Sequence, residues 1–334
     1  MNLWTEASDK CIPAHRHGAV LLDLVLTRDM SSHRLLHSTG IFYEDLISGQ
    51  CLLSPDKLTK LIANCIKAYA GRDLAFRFGQ RILPGHLGTF SQTLASAGSL
   101  GDALTLLEQH SFIPSPMLTP VGSADDSHYH LSWRPAFLYG QQDVFWSEAM
   151  LSALTHGLSA FSGLTLPWQF EFKYPAPPHQ EYYLTHFRGP LRFNRPATRL
   201  SIPLEYLNHP WPQGARVSYA LGMQSLQQET PRTGFLVFVR KLIERYLQQD
   251  VSQELIAEQL QISSATLKRK FRQHQTNFRQ LLDDVRLEVA TRLIEERGYT
   301  NEQVAGYLGF YDEANFRRSF KRWTGVNPSQ YCRV

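Results

Sequence analysis

The amino-acid sequence predicts an α+β N-terminal domain followed by an all-α C-terminal domain, in which two helix-turn-helix units are joined by a long helix. Three observations carry this. A pattern is written twice near the C-terminus. It runs first as Ile256-Ala257-Glu258-Gln259-Leu260-Gln261-Ile262-Ser263 with Leu267-Lys268-Arg269-Lys270-Phe271-Arg272. It returns as Val304-Ala305-Gly306-Tyr307-Leu308-Gly309-Phe310-Tyr311 with Phe316-Arg317-Arg318-Ser319-Phe320-Lys321, 48 residues on from Ala257 to Ala305 and 49 on from Phe271 to Phe320. Apolar spacing is mixed, part period-two and part helical, up to about Gly214 and helical beyond it. Charge is uneven: residues 232–334 hold 17 Lys/Arg and 12 Asp/Glu, whereas residues 1–231 hold 17 and 18.

A chain of 334 residues is long enough for two domains with cores of their own. Its 43% apolar and 19% charged residues exclude a disordered chain. The boundary is expected at Thr230-Pro231, giving residues 1–230 as an effector-sensing or dimerisation domain and 231–334 as a DNA-binding domain. The helix-turn-helix motifs fall at about 252–272 and 300–322. Cys11, Cys51, Cys65 and Cys332 have no C-x-x-C spacing and read as free thiols of a reducing compartment. Met1 to Cys11 has no apolar run of a signal peptide, and Ala19 to Leu26 is broken by Asp23 and too short to span a bilayer. A cytoplasmic protein with no membrane partner is the expectation.

Along the first domain, Ala19 to Leu26 fits either a strand or a buried helical turn. Ser54-Pro55 reads as an N-cap with Pro at the first helical position. Leu58, Leu61, Ile62, Cys65 and Tyr69 follow at helical spacing, with Gly71 as the stop. Short helices are expected over Leu87–Ala97 and Leu100–His110, and strands over Met117–Val121 and His128–Trp133 around a turn at Gly122–Ser127. A helix is expected over Gln141–Phe161. Trp168 to Phe172 alternates as a half-buried strand, and Leu191–Phe193 and Leu200–Ile202 are further strands. In the second domain Phe235–Gln248 has one apolar face, and Ser252 is an N-cap. Asn277–Arg297 is a long helix with an apolar stripe ending at Gly298, and Thr300 with Gln303 has capping-box spacing.

In each copy of the pattern a small residue, Ala257 or Ala305, sits where two helices must approach. Leu260, Ile262, Leu267 and Phe271 hold the second helix on the first in one copy; Leu308, Phe310, Phe316 and Phe320 do so in the other. This leaves Ala265, Lys268, Arg269 and Arg272 facing outward in the first, and Glu313, Asn315, Arg317, Arg318 and Lys321 in the second. Helices of this kind enter the major groove, where Arg and Lys bind phosphate or guanine. Arg269 and Arg318 fall on matching positions and are the first choice for DNA contact. Lys268, Glu313 and Asn315 read as base contacts, and Arg272, Arg317 and Lys321 as phosphate contacts. Lys270 adds to the charge of the first copy. The plain alternative is a helical bundle with a solvated basic face, which the duplication disfavours.

Ser252 to Tyr331 resembles the DNA-binding domain of the AraC/XylS family of bacterial transcription regulators. The specific match is the run Ala305 to Tyr331, above all Phe320-Lys321-Arg322-Trp323-Thr324-Gly325 with Pro328. The resemblance implies seven helices, two reading heads on one face of DNA, and RNA polymerase as a partner. Family members carry Gly where this chain has Gln261 and Gln275, which implies strained or rearranged turns in the first unit. More weakly, Leu74-Ala75-Phe76-Arg77-Phe78-Gly79, His86-Leu87-Gly88, Leu100 to Leu104 and Gly189 to Phe193 resemble the arabinose-binding-like sensor domain of ornithine-utilisation regulators. That resemblance covers about residues 15–230 and does not carry the effector across.

No G-x-S-x-G, P-loop or G-x-G-x-x-G is present, and Asp125-Asp126 reads as a solvated turn, so no catalytic residue and no cofactor are assigned. His15 with His17, His33 with His37, and His128 with His130 lack the further ligands of a metal site, and no metal is assigned. Arg77, Arg81 and His86 stand close in sequence and suit an anionic effector, but surface or structural charges are the better reading, so the effector site is left unassigned. The expected function is a sequence-specific DNA-binding transcription regulator, an activator, with promoter DNA as partner. A small-molecule effector or a second copy of the chain is the partner left to the first domain. The alternative is a DNA-targeted enzyme with a catalytic N-terminal domain; Cys11, Cys51 and Cys65 lack the Pro-Cys-His setting such enzymes use. A third reading is a protein whose basic face meets an acidic partner and not DNA.

Overall fold

The computed structural model describes residues 4–26, 31–85, 87–137, 142–195, 197–228 and 233–331. The chain divides into two compact units with the break after Gly234. The expected linker Thr230-Pro231 lies outside the described residues, as do His86 and Cys332.

The first unit is built on buried helices and a mixed sheet. The ambiguous segment near residue 20 is a helix, Ala14–Val25, with Leu21, Leu22 and Val25 in the core. Ser54 caps the helix Pro55–Ala68 by accepting from the Lys57 N–H. That helix ends earlier than expected: Tyr69 is already extended, so Gly71 does not stop it. The expected Leu87–Ala97 and Leu100–His110 are helices Thr89–Ala95 and Leu100–Gln109.

Helices Leu74–Ile82 and Asp143–Ser162 cross in contact. A Cβ on Gly79 would stand 2.1 Å from the Ala149 carbonyl oxygen, so only glycine permits this approach. Ser152 Oγ donates to the Phe76 carbonyl at 2.9 Å across the same crossing. Asp143–Ser162 is apolar on most of its circumference and buries one acid, Glu148, which accepts from Tyr183 Oη at 2.6 Å and pairs with His179 Nε2 at 3.0 Å. Burial raises the Glu148 pKa, against the lowering effect of those two partners.

The strands are β1 Ile12–Pro13, β2 Leu52–Leu53, β3 Leu118–Ala124, β4 His128–Pro135, β5 Gln169–Glu171, β6 Leu191–Arg192 and β7 Arg199–Pro203. β1 pairs with β2; the other five form one sheet in the order β3-β4-β7-β5-β6. β7 runs antiparallel to both β4 and β5, and β6 is parallel to β5. The turn between β3 and β4 is tighter than expected, because β3 continues to Ala124. The Trp168–Phe172 alternation holds, with Trp168, Phe170 and Phe172 buried, but Glu171 is buried too, held by Arg199 Nε at 2.7 Å. That strand is covered on both faces and is not half-exposed.

The second unit has seven helices among its described residues: Phe235–Arg245, Gln253–Gln259, Ser264–Gln273, Phe278–Arg297, Asn301–Tyr307, Glu313–Thr324 and Pro328–Tyr331. Asn277 caps the long helix from outside it, and Gly298 ends it in the left-handed region at φ +62°. Its inward stripe is Leu281, Val285, Val289, Ala290 and Leu293; Phe278, Leu282 and Ile294 are half-buried. Ion pairs Arg240–Asp284 at 2.9 Å and Arg292–Glu244 at 2.8 Å tie it to Phe235–Arg245. Arg322–Asp283 at 3.1 Å ties it to Glu313–Thr324. The capping box at Thr300 and Gln303 is formed in both directions.

Candidate nucleic-acid interface

Each helix-turn-helix unit is a short helix, a turn and a longer helix. Ala257 and Ala305 are both buried at the crossing, and each carbonyl closes the same turn: Ile262 N–H to Ala257 at 3.0 Å, Phe310 N–H to Ala305 at 2.9 Å. This bond between residues five apart requires a left-handed residue inside it. The second unit uses Gly309 at φ +70°; the first uses Gln261 at φ +56°. Past the second helices the same contrast recurs, with Gly325 at +81° and Gln275 at +47°. The first unit's turns are therefore strained and not rearranged: the backbone keeps the conformation that glycine would favour.

The recognition helices start alike. Ser263 accepts from the Thr266 N–H and Asp312 from the Asn315 N–H. Leu267 and Phe271 are buried in one unit, Phe316 and Phe320 in the other. The step from 48 to 49 in the repeat has a location. Ile262 and Phe310 still correspond at 48, whereas the caps Ser263 and Asp312 correspond at 49. Tyr311 is the inserted residue, and it is 95% exposed at the mouth of the second recognition helix.

Of the residues expected to meet DNA, Ala265, Lys268, Arg269, Arg272, Arg317, Arg318 and Lys321 are exposed, and Glu313 and Asn315 half-exposed. Lys268, Arg269 and Arg272 correspond at 49 to Arg317, Arg318 and Lys321, so both helices carry three cations on one face. In the second unit the polar residues engage one another: Arg317 Nη2 pairs with Glu313 Oε1, and Arg318 Nη2 donates to Asn315 Oδ1 at 2.6 Å. Lys270 departs from expectation. Its ammonium lies 5.7 Å from the centre of the Phe235 ring, half-buried and turned from the shared face. Sequence reasoning also passed over Tyr311 and Thr266. Thr266 corresponds to Asn315 at the 49 spacing, a signal available once the insertion is located.

The remaining candidates disperse. Arg77 is paired with Asp73, and His86 lies outside the described residues. His17 is buried with Nε2 3.0 Å from the Pro114 carbonyl, and burial pushes its pKa down to about 4, so it is a neutral core residue. His33 and His37 do not share a helix face, because the helix Ser32–Leu36 ends before His37. Among the described residues no three His, Cys, Asp or Glu side chains gather as a metal site, and no helix is long and apolar enough to cross a membrane.

Comparison with known proteins agrees with this arrangement. The family described as the arabinose-binding domain of AraC transcription regulators, N-terminal, matches residues 30–211. A helix-turn-helix domain family matches residues 256–333. The chain is 27% identical over 320 residues to an ornithine utilization regulator of Pseudomonas aeruginosa, covering 94% of each. It is 25% identical over 332 residues to an uncharacterized helix-turn-helix-type transcriptional regulator of Mycobacterium tuberculosis, again covering 94% of each. Among solved structures it is similar to the transcriptional regulator CdpR of Pseudomonas aeruginosa, at 20% identity over 82% of this chain and 90% of that one, with a TM-score of 0.41. The family matched over the first domain is one of transcription regulators, and the DNA-targeted enzyme is left without support.

Proposed function

This chain belongs to the AraC family of transcription regulators, and on that premise we propose how its parts divide the work. Residues 231–334 bind promoter DNA through two recognition helices, Ser264–Gln273 and Glu313–Thr324. Residues 1–230 govern that binding, by sensing a small-molecule effector or by pairing with a second copy of the chain. A ligand favouring one state of the first domain shifts the population competent to bind DNA. The regulator acts in the cytoplasm as an activator and meets RNA polymerase at the promoter.

Arg269 and Arg318 are the principal contacts. Lys268, Glu313 and Asn315 read base edges, with Ala265 offering its methyl group to the groove; Arg272, Arg317 and Lys321 bind phosphates. The observation that supports this most is the pair of equivalent turns, each delivering a helix with three exposed cations at matched positions. Among the described residues, Lys268, Arg269 and Arg272 have no acidic partner to leave before meeting a phosphate.

The test is fluorescence anisotropy on the DNA upstream of the gene, across a salt series. Arg269→Ala weakens binding and reduces the slope of log K against log salt by about 0.9, the effect of one lost phosphate contact. A variant that binds like the wild type at every salt concentration removes Arg269 from the interface.

A further inference from the structure

We propose that the polar face of the five-stranded sheet is a binding site for a small organic carboxylate. In taking that molecule for the effector, the proposal rests on the sensing role given above to the first domain.

Strand register builds the site. His130 is paired with Ser201, and Ser201 with Gln169; Arg199 is paired with Glu171, and Glu171 with Arg192. Paired residues point to the same side of a sheet, so these side chains share one face. The opposite face carries Leu131, Phe170, Leu200 and Ile202, all buried in the core. An antiparallel sheet normally turns its polar face to water. Here His130, Glu171 and Ser201 are buried, at 7%, 7% and 6% exposure. Polar groups withdrawn from water need partners; His130 and Ser201 have each other and Glu171 has Arg199, and beside them lies a cavity of about 120 Å³. A cavity of roughly 150 Å³ takes a benzene-sized molecule, so this smaller one holds about six non-hydrogen atoms at most, and any further atoms of a ligand stand at its open rim.

The charges select the ligand. Three guanidinium groups surround the single carboxylate of Glu171. Arg199 Nε hydrogen-bonds it at 2.7 Å. Arg195 Nε lies 3.3 Å from Oε1 but makes no hydrogen bond. Arg192 Nη1 stands 3.8 Å away, beyond hydrogen-bonding distance, on a side chain 59% exposed at the rim of the cavity. Among the described residues this cluster of three guanidinium groups on one carboxylate is net positive, so an anion is attracted and a cation would compete with arginine for Glu171. Arginine presents paired donors that match a carboxylate. Arg192 is free to turn from its long contact with Glu171 onto an incoming ligand. Polar groups line the opposite wall. The His128 and His130 rings stack at 6.2 Å, His130 Nδ1 is fixed by Ser201 Oγ at 2.8 Å, and Gln169 Nε2 is 3.0 Å from His128 Nε2. These suit a second polar group on the ligand, such as a hydroxyl, oxo or further carboxylate oxygen.

The test is calorimetric titration of the full chain with pyruvate, succinate and malate. Inorganic phosphate serves as the competing oxyanion and 1,4-diaminobutane as a cation of similar length. At least one carboxylate is expected to bind saturably in the millimolar range or tighter, and the diamine not at all. Arg192→Ala is expected to weaken carboxylate binding at least tenfold and Arg192→Lys less. The thermal melting profile of Arg192→Ala should be that of the wild type, because the side chain is at the rim. His128→Ala provides a second variant on the far wall and is expected to weaken binding too. No binding by any carboxylate, binding unchanged in both alanine variants, or binding of phosphate alone would each overturn the proposal. DNA binding by the same samples is read separately. A chain that binds a carboxylate and no DNA keeps this site and refutes the function proposed above; a chain that binds DNA and no carboxylate does the reverse.

Discussion

The first helix-turn-helix unit turns on Gln261 at φ +56° and the second on Gly309 at φ +70°, with the same hydrogen bond closing both. The outward face of the helix that follows carries Lys268, Arg269 and Arg272 in the first unit, whereas in the second Glu313 holds Arg317 and Asn315 holds Arg318. The difference teaches that the frame and the reading head are set by different residues. The buried alanine, the cap and the apolar seam fix where each helix lies. What the helix offers DNA is then open to change, and under the proposed function the second unit is the more discriminating.

The largest effect expected on this comparison is from breaking a seam. Phe320→Ala removes a fully buried ring that packs on Phe316 and Tyr331, and costs about 3–5 kcal/mol in a chemical denaturation of the second unit. Leu267→Ala in the first unit, which removes fewer buried atoms, costs about 2–5 kcal/mol. A smaller cost for the phenylalanine would mean that the second seam collapses to fill the space.

Next come the reading heads. Asn315→Ala should cost about 1–3 kcal/mol of discrimination at its base pair, read as the ratio of affinities for the preferred and substituted sites. Arg272→Ala, the loss of a phosphate contact, is expected to weaken binding by a more even factor across sequences.

The turns come third. Gln261→Gly and Gln275→Gly relieve side chains in the left-handed region and should each stabilise the fold by about 0.5–1 kcal/mol, less than the full strain because glycine also loosens the unfolded chain. Gly309→Ala and Gly325→Ala should destabilise by about 1 kcal/mol each. No clash adds to this, since a Cβ on Gly325 meets nothing within 4 Å. Denaturation midpoints that move the other way would show the glutamines stabilised by contacts of their own. The smallest effect is that of the exposed Glu313–Arg317 pair. Breaking it with Glu313→Gln should change stability by no more than about 0.5 kcal/mol, because solvent screens it.

Much of the second unit was legible in the sequence because its signals are local. Ser252 and Thr300, read as caps, cap the helices that follow them by bonds spanning three residues, and Ser263 and Asp312, not read as such, do the same. Gly298 stops the long helix by backbone conformation alone. The outward residues followed from helical spacing, with one error. Lys270 neighbours Arg269 in sequence, but one residue is about 100° of helical turn, which carries it to the Phe235 ring. The inserted Tyr311 was visible as the step from 48 to 49, without a position.

The first unit was less legible because its meaning is in its packing. The helix Leu74–Ile82 begins without a side-chain cap and has Gly79 inside it, which reads as a breaker until the Ala149 backbone is seen against it. The strand alternation near Phe170 gave two faces correctly but not the fact that both are covered. Arg192, Arg195 and Arg199 come from a turn and two strands, and their convergence on Glu171 depends on a strand order that skips along the chain.

The central claim is that one frame carries two unlike reading heads. It is tested most directly by selecting bound sequences from a random duplex library with the wild type, Arg269→Ala and Asn315→Ala. The expected result is an asymmetric site in which Asn315→Ala erases preference in one half and leaves the other intact, while Arg269→Ala lowers the yield with less change of sequence. Equal loss of preference in both variants, or a site with two equivalent halves, would contradict it.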